Sequence, residues 1–187
     1  MKQLFLSLCI LALLFCAGGV TNAQTYQIIS TTSSNVSNNV TKTVKTVQVG
    51  SNPLNRFLMT RVRKNIPNAD LKGTILLLPP LGSGFQNYEV GDGGDYEKSF
   101  AGFFARRNYD VWGYSQRVQE LTAGSCESNA IDCSVMADWG MQTIVDDVAF
   151  IRQQIELAHP GEKPVVGGLS LGSIAAIATI TRMEYSR

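Results

Sequence analysis

Five consecutive residues, Gly168-Leu169-Ser170-Leu171-Gly172, carry the clearest chemical signal in the sequence, the pattern G-x-S-x-G. A short apolar run precedes them and a small-residue segment of helical character follows, so the serine lies at a turn from strand to helix. A hydroxyl held at such a sharp turn projects from the edge of a sheet and can act as a nucleophile. Glycine is needed on both sides because larger side chains would collide with the adjoining strand and helix. The pattern therefore predicts Ser170 as a nucleophile.

Two other glycine-rich motifs can be set against this interpretation. A phosphate-binding loop would need G-x-x-x-x-G-K-[ST], and no lysine follows these glycines. A dinucleotide-binding turn would need G-x-G-x-x-G, which is also missing. The alternative that stays open is a glycine-rich turn without chemistry.

Backbone N–H groups near Ser170 are the expected oxyanion donors. The first N–H groups of a helix have no partner within it and carry a partial positive charge, which predicts the N–H of Leu171 as one donor. A second donor is expected from the loop after an earlier strand. In that loop Pro79 and Pro80 have no N–H, so Leu81 is the first possible donor and Gly82 the next.

A serine nucleophile also needs a base and a carboxylate that orients the base. The one histidine, His159, precedes the strand that leads to Ser170, so the two lie on the order of 15–20 Å apart. A base must lie within about 3 Å of the hydroxyl, so we expect His159 to be a helix-end residue instead. We expect the acidic residues on or near the preceding helix to be capping or solvated groups: Asp138, Asp146 and Asp147.

The surrounding sequence alternates between strand and helix patterns. Strands are predicted over 44–49, 57–62, 74–78, 109–114 and 164–168, and helices over 96–107, 136–158 and 173–183. The first two strands form an antiparallel hairpin, and the continuous apolar run 74–78 is typical of a strand buried on both faces. The later alternation predicts right-handed crossovers and a mostly parallel sheet. The helical apolar faces are predicted to contain Phe100, Phe103 and Phe104, then Ile144, Val148, Ile151 and Ile155.

From residue 74 to 183 the order of these motifs resembles the front half of the α/β-hydrolase fold. Residues 75–82 resemble its oxyanion loop, with Pro79-Pro80 where many members have His-Gly, and 109–114 resemble the following strand. Residues 165–172 resemble the strand and turn of its nucleophile elbow. The resemblance implies an α/β fold class: a mostly parallel sheet flanked by helices, with an N-terminal antiparallel hairpin. It implies serine-dependent hydrolysis of an ester or lipid through an acyl-enzyme, with no cofactor and no metal.

In that fold the acid and the histidine follow the serine, but only Glu184 is acidic after Ser170 and no histidine follows. We therefore expect this chain to be an N-terminal fragment that is nearly inactive alone. Two alternatives stay open for the full-length protein: a secreted peptidase of the same fold, and a non-catalytic binding protein that has kept the fold.

The first 23 residues have the layout of a secretory signal peptide, with Lys2 followed by an apolar run over 4–17 and by small and polar residues up to Ala23. The apolar run is shorter than the roughly 20 residues of a membrane span, so we expect cleavage, although an uncleaved anchor or a lipid-anchored Cys16 are alternatives. After cleavage we expect a secreted or extracytoplasmic protein without a membrane span. It would consist of an exposed lead-in, 24–43, and a hydrolase domain, 44–187.

Export also bears on the two cysteines of the mature chain. Cys126 and Cys133 are expected to form a disulfide in an oxidising compartment, with two free thiols as the alternative. The 16 Lys and Arg against 15 Asp and Glu give a net charge of +1. Such a balance gives no indication of a nucleic-acid partner, and the expected partner is a small-molecule or lipid ester substrate. The oligomeric state is not indicated.

Overall fold

Six strands form one mixed sheet in the computed structural model, which describes residues 24–122, 124–127 and 131–185. The order across the sheet is β1-β2-β3-β5-β4-β6. β1, β2 and β3 pair antiparallel, β3 pairs antiparallel with β5, and β4 lies parallel between β5 and β6. The strands are β1 (Tyr26–Ser37), β2 (Val40–Val49), β3 (Arg56–Lys64), β4 (Gly73–Leu78), β5 (Tyr109–Ser115) and β6 (Val165–Gly168).

Helices cover both faces of this sheet, which gives three layers. The helices are α1 (Phe100–Arg106), α2 (Met141–Ala158) and α3 (Leu171–Tyr185). α2 and α3 supply Val148, Ile151, Ile155, Ala175 and Ala176 to one core, and α1 supplies Ala101 and Ala105 to the other. Single turns of 3₁₀ helix occur at Asn68–Asp70, Phe85–Tyr88, Asp92–Gly94, Tyr96–Lys98, Arg117–Glu120 and Ser134–Asp138. The expected fold class, an α/β sheet flanked by helices with antiparallel N-terminal strands, is confirmed, but the sheet is mixed rather than mostly parallel, since three of the five strand pairings in the described residues are antiparallel.

The N-terminal segment differs from its description as a lead-in, because Tyr26–Ser37 forms the edge strand β1. It pairs with β2 from Tyr26 opposite Val49 to Ser37 opposite Val40. Most of its side chains are exposed, and hydroxyl groups bond across the strands, as between Ser30 and Thr46 at 2.8 Å. A solvated edge strand of this kind can consist of serine and threonine, so it lacks the apolar alternation that indicates a strand.

Two helices begin or pack differently from the prediction. In α1 the buried residues are Ala101, Gly102 and Ala105, whereas Phe100 and Phe103 are exposed. Small residues let this short helix lie close to the sheet. Phe104 is partly buried and packs against the core as expected, and the Phe100 and Phe103 rings pack on Phe104. α2 begins only at Met141, because the 3₁₀ turn Ser134–Asp138 occupies the start of the predicted helix. Its apolar face is confirmed, with Ile144 partly buried at the edge of the core.

Cys126 and Cys133 form a disulfide bond, as expected. The predicted signal peptide, residues 1–23, lies outside the described residues. Within the described part, no helix is long and apolar enough to cross a membrane.

Candidate active site

Ser170 occupies the turn between β6 and α3 and has a φ of 55°. Only two other non-glycine residues in the described ranges have a positive φ, and both are asparagines, Asn39 and Asn108. Asparagine tolerates this left-handed conformation, whereas serine adopts it at a cost that the surrounding structure must offset. The Ser170 side chain is exposed at the carboxyl end of the parallel strands. The backbone is therefore strained at the one residue that the sequence pattern singles out.

The flanking glycines are required by close contact with backbone atoms. A Cβ at Gly168 would lie 2.3 Å from the carbonyl carbon of Gly172, and a Cβ at Gly172 would lie 2.1 Å from the carbonyl oxygen of Leu78. Backbone cannot move aside as a flexible side chain can. The turn is thus packed directly against the end of β4, and any residue larger than glycine at either position would force the two apart.

The carbonyl oxygen of Leu78 joins three segments. It accepts a hydrogen bond from the N–H of Leu169 at 3.2 Å and another from the Tyr88 hydroxyl at 2.6 Å. Burial raises the pKa of Tyr88, which keeps that hydroxyl protonated and able to donate. The turn, the end of β4 and the segment Phe85–Tyr88 are consequently held together at one oxygen atom.

The N–H groups expected to bind an oxyanion lie around one cleft. Leu171 is the first residue of α3, and both Leu171 and Leu81 line the cleft. Across residues 24–122, 124–127 and 131–185, neither of these two N–H groups has a hydrogen-bond acceptor. The N–H of Gly82, in contrast, donates to Oε1 of Gln116 at 2.8 Å. Leu81 and Leu171 therefore line the cleft and have N–H groups without an acceptor, whereas the N–H of Gly82, which also lines it, is bonded.

The cleft beside these donors is largely apolar and has a volume of about 520 Å³. Trp139 is fixed in its wall by a hydrogen bond from Nε1 to Oδ1 of Asn55 at 2.8 Å. Met136, another wall residue, lies with its Sδ 3.7 Å from Sγ of Cys126, so the disulfide supports this wall. The apolar lining consists of Leu81, Val118, Met136, Trp139, Met141, Ile144 and Leu171.

A buried ion pair lies at the base of the cleft. Nε and Nη2 of Arg117 donate to the Asp147 carboxylate at 3.0 and 2.6 Å, and the Tyr114 hydroxyl donates to it at 3.0 Å. The third donor group of Arg117, Nη1, bonds Oδ1 of Asn55 at 3.0 Å. Burial raises the pKa of Asp147, and the bonds from Arg117 oppose that rise. The expectation that Asp147 is a solvated or capping group is therefore wrong, because it neutralises a buried arginine.

His159 lies in a second buried cluster, at the amino ends of the parallel strands, whereas Ser170 lies at their carboxyl ends. Its Nε2 is 2.6 Å from Oδ2 of Asp110, which also binds Arg61. Asp110 pairs with Thr74 at the start of β4, whereas Gly168 pairs with Leu78 four residues later, a separation of about 13 Å along the strand. His159 and Asp110 are within hydrogen-bonding distance of each other, but they lie at the opposite end of the strands from Ser170. In the described ranges no histidine or carboxylate bonds Ser170, and no cluster of three or more metal-ligating side chains occurs.

Two residues that shape the site were not found from the sequence, Gln116 and Asn55. Gln116 directly follows β5 and contacts the loop that contains Leu81, and Asn55 holds both Arg117 and Trp139. The position of Gln116 at the carboxyl end of a parallel strand was the available signal, because loops at that edge carry function in such sheets. Asn55, in a turn before β3, has no comparable signal.

Comparison with known proteins identifies the fold. No protein-family model and no curated protein matches the sequence. Among solved structures, the chain is similar to a candidate lipase from Sulfolobus solfataricus, with a TM-score of 0.65 and 20% identity over 83% of this chain and 45% of that one. It also matches a cold-adapted esterase from an Arctic intertidal metagenomic library, at a TM-score of 0.47 and 14% identity over 79% of this chain and 57% of that one. The chain thus spans about half the length of these structures. The sheet order and the first match show that it has the α/β-hydrolase fold.

Proposed function

We propose that this protein is a serine hydrolase that cleaves esters with an apolar chain through an acyl-enzyme on Ser170. The observation that carries the proposal is the strained Ser170 turn beside two unoccupied N–H groups at the rim of an apolar cleft. Strain at a single exposed serine is costly and is typical of sites where a side chain must be held in one orientation. The two solved structures are described as a candidate lipase and an esterase, which agrees with ester chemistry.

The reaction would proceed by acyl transfer. Oγ of Ser170 attacks the ester carbonyl carbon as its proton passes to a base, and the carbonyl electron pair moves onto the oxygen. The N–H groups of Leu171 and Leu81 stabilise that oxyanion, and the helix dipole of α3 adds to their effect. Collapse of the intermediate expels the alcohol, which takes up the proton, and leaves the acyl group on Ser170. Water then attacks the acyl-enzyme in the same way and releases the acid.

The base is not among the described residues, because His159 bonds Asp110 at the amino ends of the parallel strands, away from Ser170. The proposal therefore places the base and its orienting carboxylate outside these residues. For the same reason we expect the 187-residue chain alone to hydrolyse esters very slowly, since a neutral serine hydroxyl is a poor nucleophile.

The cleft supports an ester substrate with an uncharged, apolar chain. Each nitrogen of Arg117 bonds Asp147 or Asn55, and its charge is paired with the Asp147 carboxylate, so the cleft base offers no unpaired charge to an ionic ligand. Met136, Trp139 and Ile144 give the wall an apolar surface. Burial of a chain against such a surface contributes about 0.8 kcal/mol per methylene. A peptidase of the same fold would be expected to offer polar groups for the peptide backbone here.

We also propose an extracytoplasmic location. The disulfide between Cys126 and Cys133 supports it, because disulfides persist mainly in oxidising compartments. The composition of residues 1–23, which is typical of a secretory signal peptide, also supports this location.

Replacement of the serine tests the function. In the product of the complete gene, Ser170→Ala should lower kcat for p-nitrophenyl esters by several orders of magnitude, because the attacking oxygen is lost. A fluorophosphonate probe should label the wild type at Ser170, identified by peptide mass mapping. Ser33→Ala, which removes an exposed hydroxyl on β1, is the matched control and should leave rate and labelling unchanged. Full activity of Ser170→Ala would refute the proposal.

A second function, binding of apolar esters without cleavage, is favoured by the absence of a base bonded to Ser170 in the described part of the chain. The same experiment separates the two. A binding protein would retain the ester in the cleft with equal affinity in wild type and Ser170→Ala, and the probe would leave Ser170 unlabelled.

A further inference from the structure

The side chain of Gln116 fastens the loop after β4, residues 79–83, to the end of β5, and Nε2 of Gln119 also donates to the carbonyl oxygen of Gly82. Oε1 of Gln116 accepts the N–H of Gly82 at 2.8 Å, and Nε2 of Gln116 donates to the carbonyl oxygen of Pro80 at 3.0 Å. The two bonded residues flank Leu81, so a single carboxamide holds the peptide groups on both sides of it. Gln116 is only 6% exposed, which protects these bonds from competition by water.

Neighbouring bonds make the attachment rigid. The N–H of Gln116 donates to the carbonyl oxygen of Ser83 at 3.2 Å, and the N–H of Phe85 donates to Oγ of Ser115 at 2.9 Å. A Cβ at Gly84 would lie 2.6 Å from that Oγ, so the backbone approaches β5 closely at this point. The loop is therefore held along its length by Ser115 and Gln116, the last residue of β5 and the one after it.

The bonds also decide which N–H of the loop is left without an acceptor. Pro79 and Pro80 have none, Gly82 donates to Gln116, and Ser83 donates to the carbonyl oxygen of Pro80 at 3.2 Å. Of residues 79–83, only Leu81 keeps an N–H that has no acceptor among the described residues, and Leu81 and Leu171 line the same cleft.

We propose that Gln116 is a positioning residue that orients the Leu81 N–H as the second oxyanion donor. The inference rests on the proposed function and adds a residue to it. Gln116 also lines the cleft, but its Oε1 and Nε2 bond Gly82 and Pro80, so its proposed effect on the oxyanion passes through Leu81. Its effect is to hold the Leu81 peptide plane before the oxyanion forms, so that no reorganisation is needed during the reaction.

Kinetics of Gln116→Met in the product of the complete gene test this role, because methionine keeps the length and loses both bonds. Removal of a whole oxyanion donor costs about 10²–10³ in kcat, so loss of its positioning should lower kcat by about 10- to 100-fold. KM should change by less than about threefold, because the donor acts on the transition state. Affinity for a boronic acid that mimics the tetrahedral intermediate should fall by the same factor as kcat.

The controls separate positioning from general damage. Gln142→Met is the matched variant, because Gln142 is exposed on α2 and its side chain bonds only Asp146; it should behave as wild type. Gln116→Glu keeps the acceptor for Gly82 but loses the donor to Pro80, and should give an intermediate kcat. Wild-type kcat in Gln116→Met would overturn the inference while leaving the Ser170→Ala result, and hence the proposed function, untouched.

Amide hydrogen exchange by NMR gives a second readout that needs neither activity nor a variant. In the wild type the Gly82 N–H should be protected and the Leu81 N–H should exchange fast. In Gln116→Met, protection at Gly82 should be lost. Fast exchange at Gly82 together with protection at Leu81 in the wild type would reverse the assignment of donors and refute the inference.

Discussion

Two glycines near Ser170, Gly167 and Gly172, differ in what a side chain would meet. A Cβ at Gly172 would lie 2.1 Å from the carbonyl oxygen of Leu78, whereas a Cβ at Gly167 would first meet a leucine methyl at 3.8 Å, an ordinary contact. Gly172→Ala should lower the free energy of unfolding by about 2–3 kcal/mol because backbone must separate from backbone. Gly167→Ala should change it by less than about 0.5 kcal/mol. Urea denaturation of both variants measures the difference, and equal stabilities would show that the turn is not packed as described.

The local pattern G-x-S-x-G, between an apolar run and a helical segment, was enough to predict the turn at Ser170. It did not indicate the contacts that surround the turn. Gln116 bonds Gly82 and Pro80, which are 34 and 36 residues away in the sequence, so its local sequence can place it at the carboxyl end of a strand but cannot indicate which residues it bonds. The position of Asp147 does carry a local signal of burial. It lies three residues after Ile144 and four before Ile151, within the apolar stripe of α2, where a carboxylate must find a buried partner.

At the scale of elements, the disulfide and the 3₁₀ turn Ser134–Asp138 together form one wall of the cleft. Replacing Cys126 and Cys133 by serine should lower the free energy of unfolding by about 2 kcal/mol, because the bond closes a short loop. The wall should also loosen, since Cys126 contacts Met136. Urea denaturation gives the first quantity, and acrylamide quenching of Trp139 fluorescence should increase in the variant. Identical unfolding midpoints for the variant and the oxidised wild type would contradict the expectation.

How well an element could be predicted depended on how many of its faces are buried. β4 and the apolar face of α2 were predicted because burial requires long runs or regular spacing of large apolar residues. β1 was missed because one edge and most of its side chains meet solvent, where serine and threonine serve as well as valine. In α1 the phenylalanines suggested the buried face, but small residues pack against the sheet there, and their size carries no periodic signal.

At the scale of the whole molecule, one side of the sheet presents apolar surface to solvent. Within the described residues β6 pairs only with β4, and Val165 in β6 is 68% exposed. Ile174, Ile177 and Ile180 of α3 are exposed next to it, with Ile177 at 67%. An open strand edge beside such a surface favours association.

We therefore expect residues 24–187 to self-associate at micromolar concentration. Ile177→Lys should reduce the association because it places a charge in the exposed apolar surface, whereas Ile29→Lys, at a 46% exposed isoleucine on β1, should not. Sedimentation velocity across a concentration series distinguishes the outcomes. A wild-type monomer at every concentration would show that this surface does not drive association.

The contact at Leu78, where its carbonyl oxygen meets Leu169, Gly172 and the Tyr88 hydroxyl, has a consequence for how the sequence can change in evolution. The atoms that meet there are main-chain oxygen, nitrogen and carbon from Leu78, Leu169 and Gly172, together with one phenol. Almost any amino acid supplies the same carbonyl at position 78 and the same amide at position 169. Substitutions can therefore accumulate around this contact while its backbone geometry is retained. Such a contact is compatible with a structural match at 20% identity without a matching family model. Backbone geometry is therefore the better basis for a search for distant relatives.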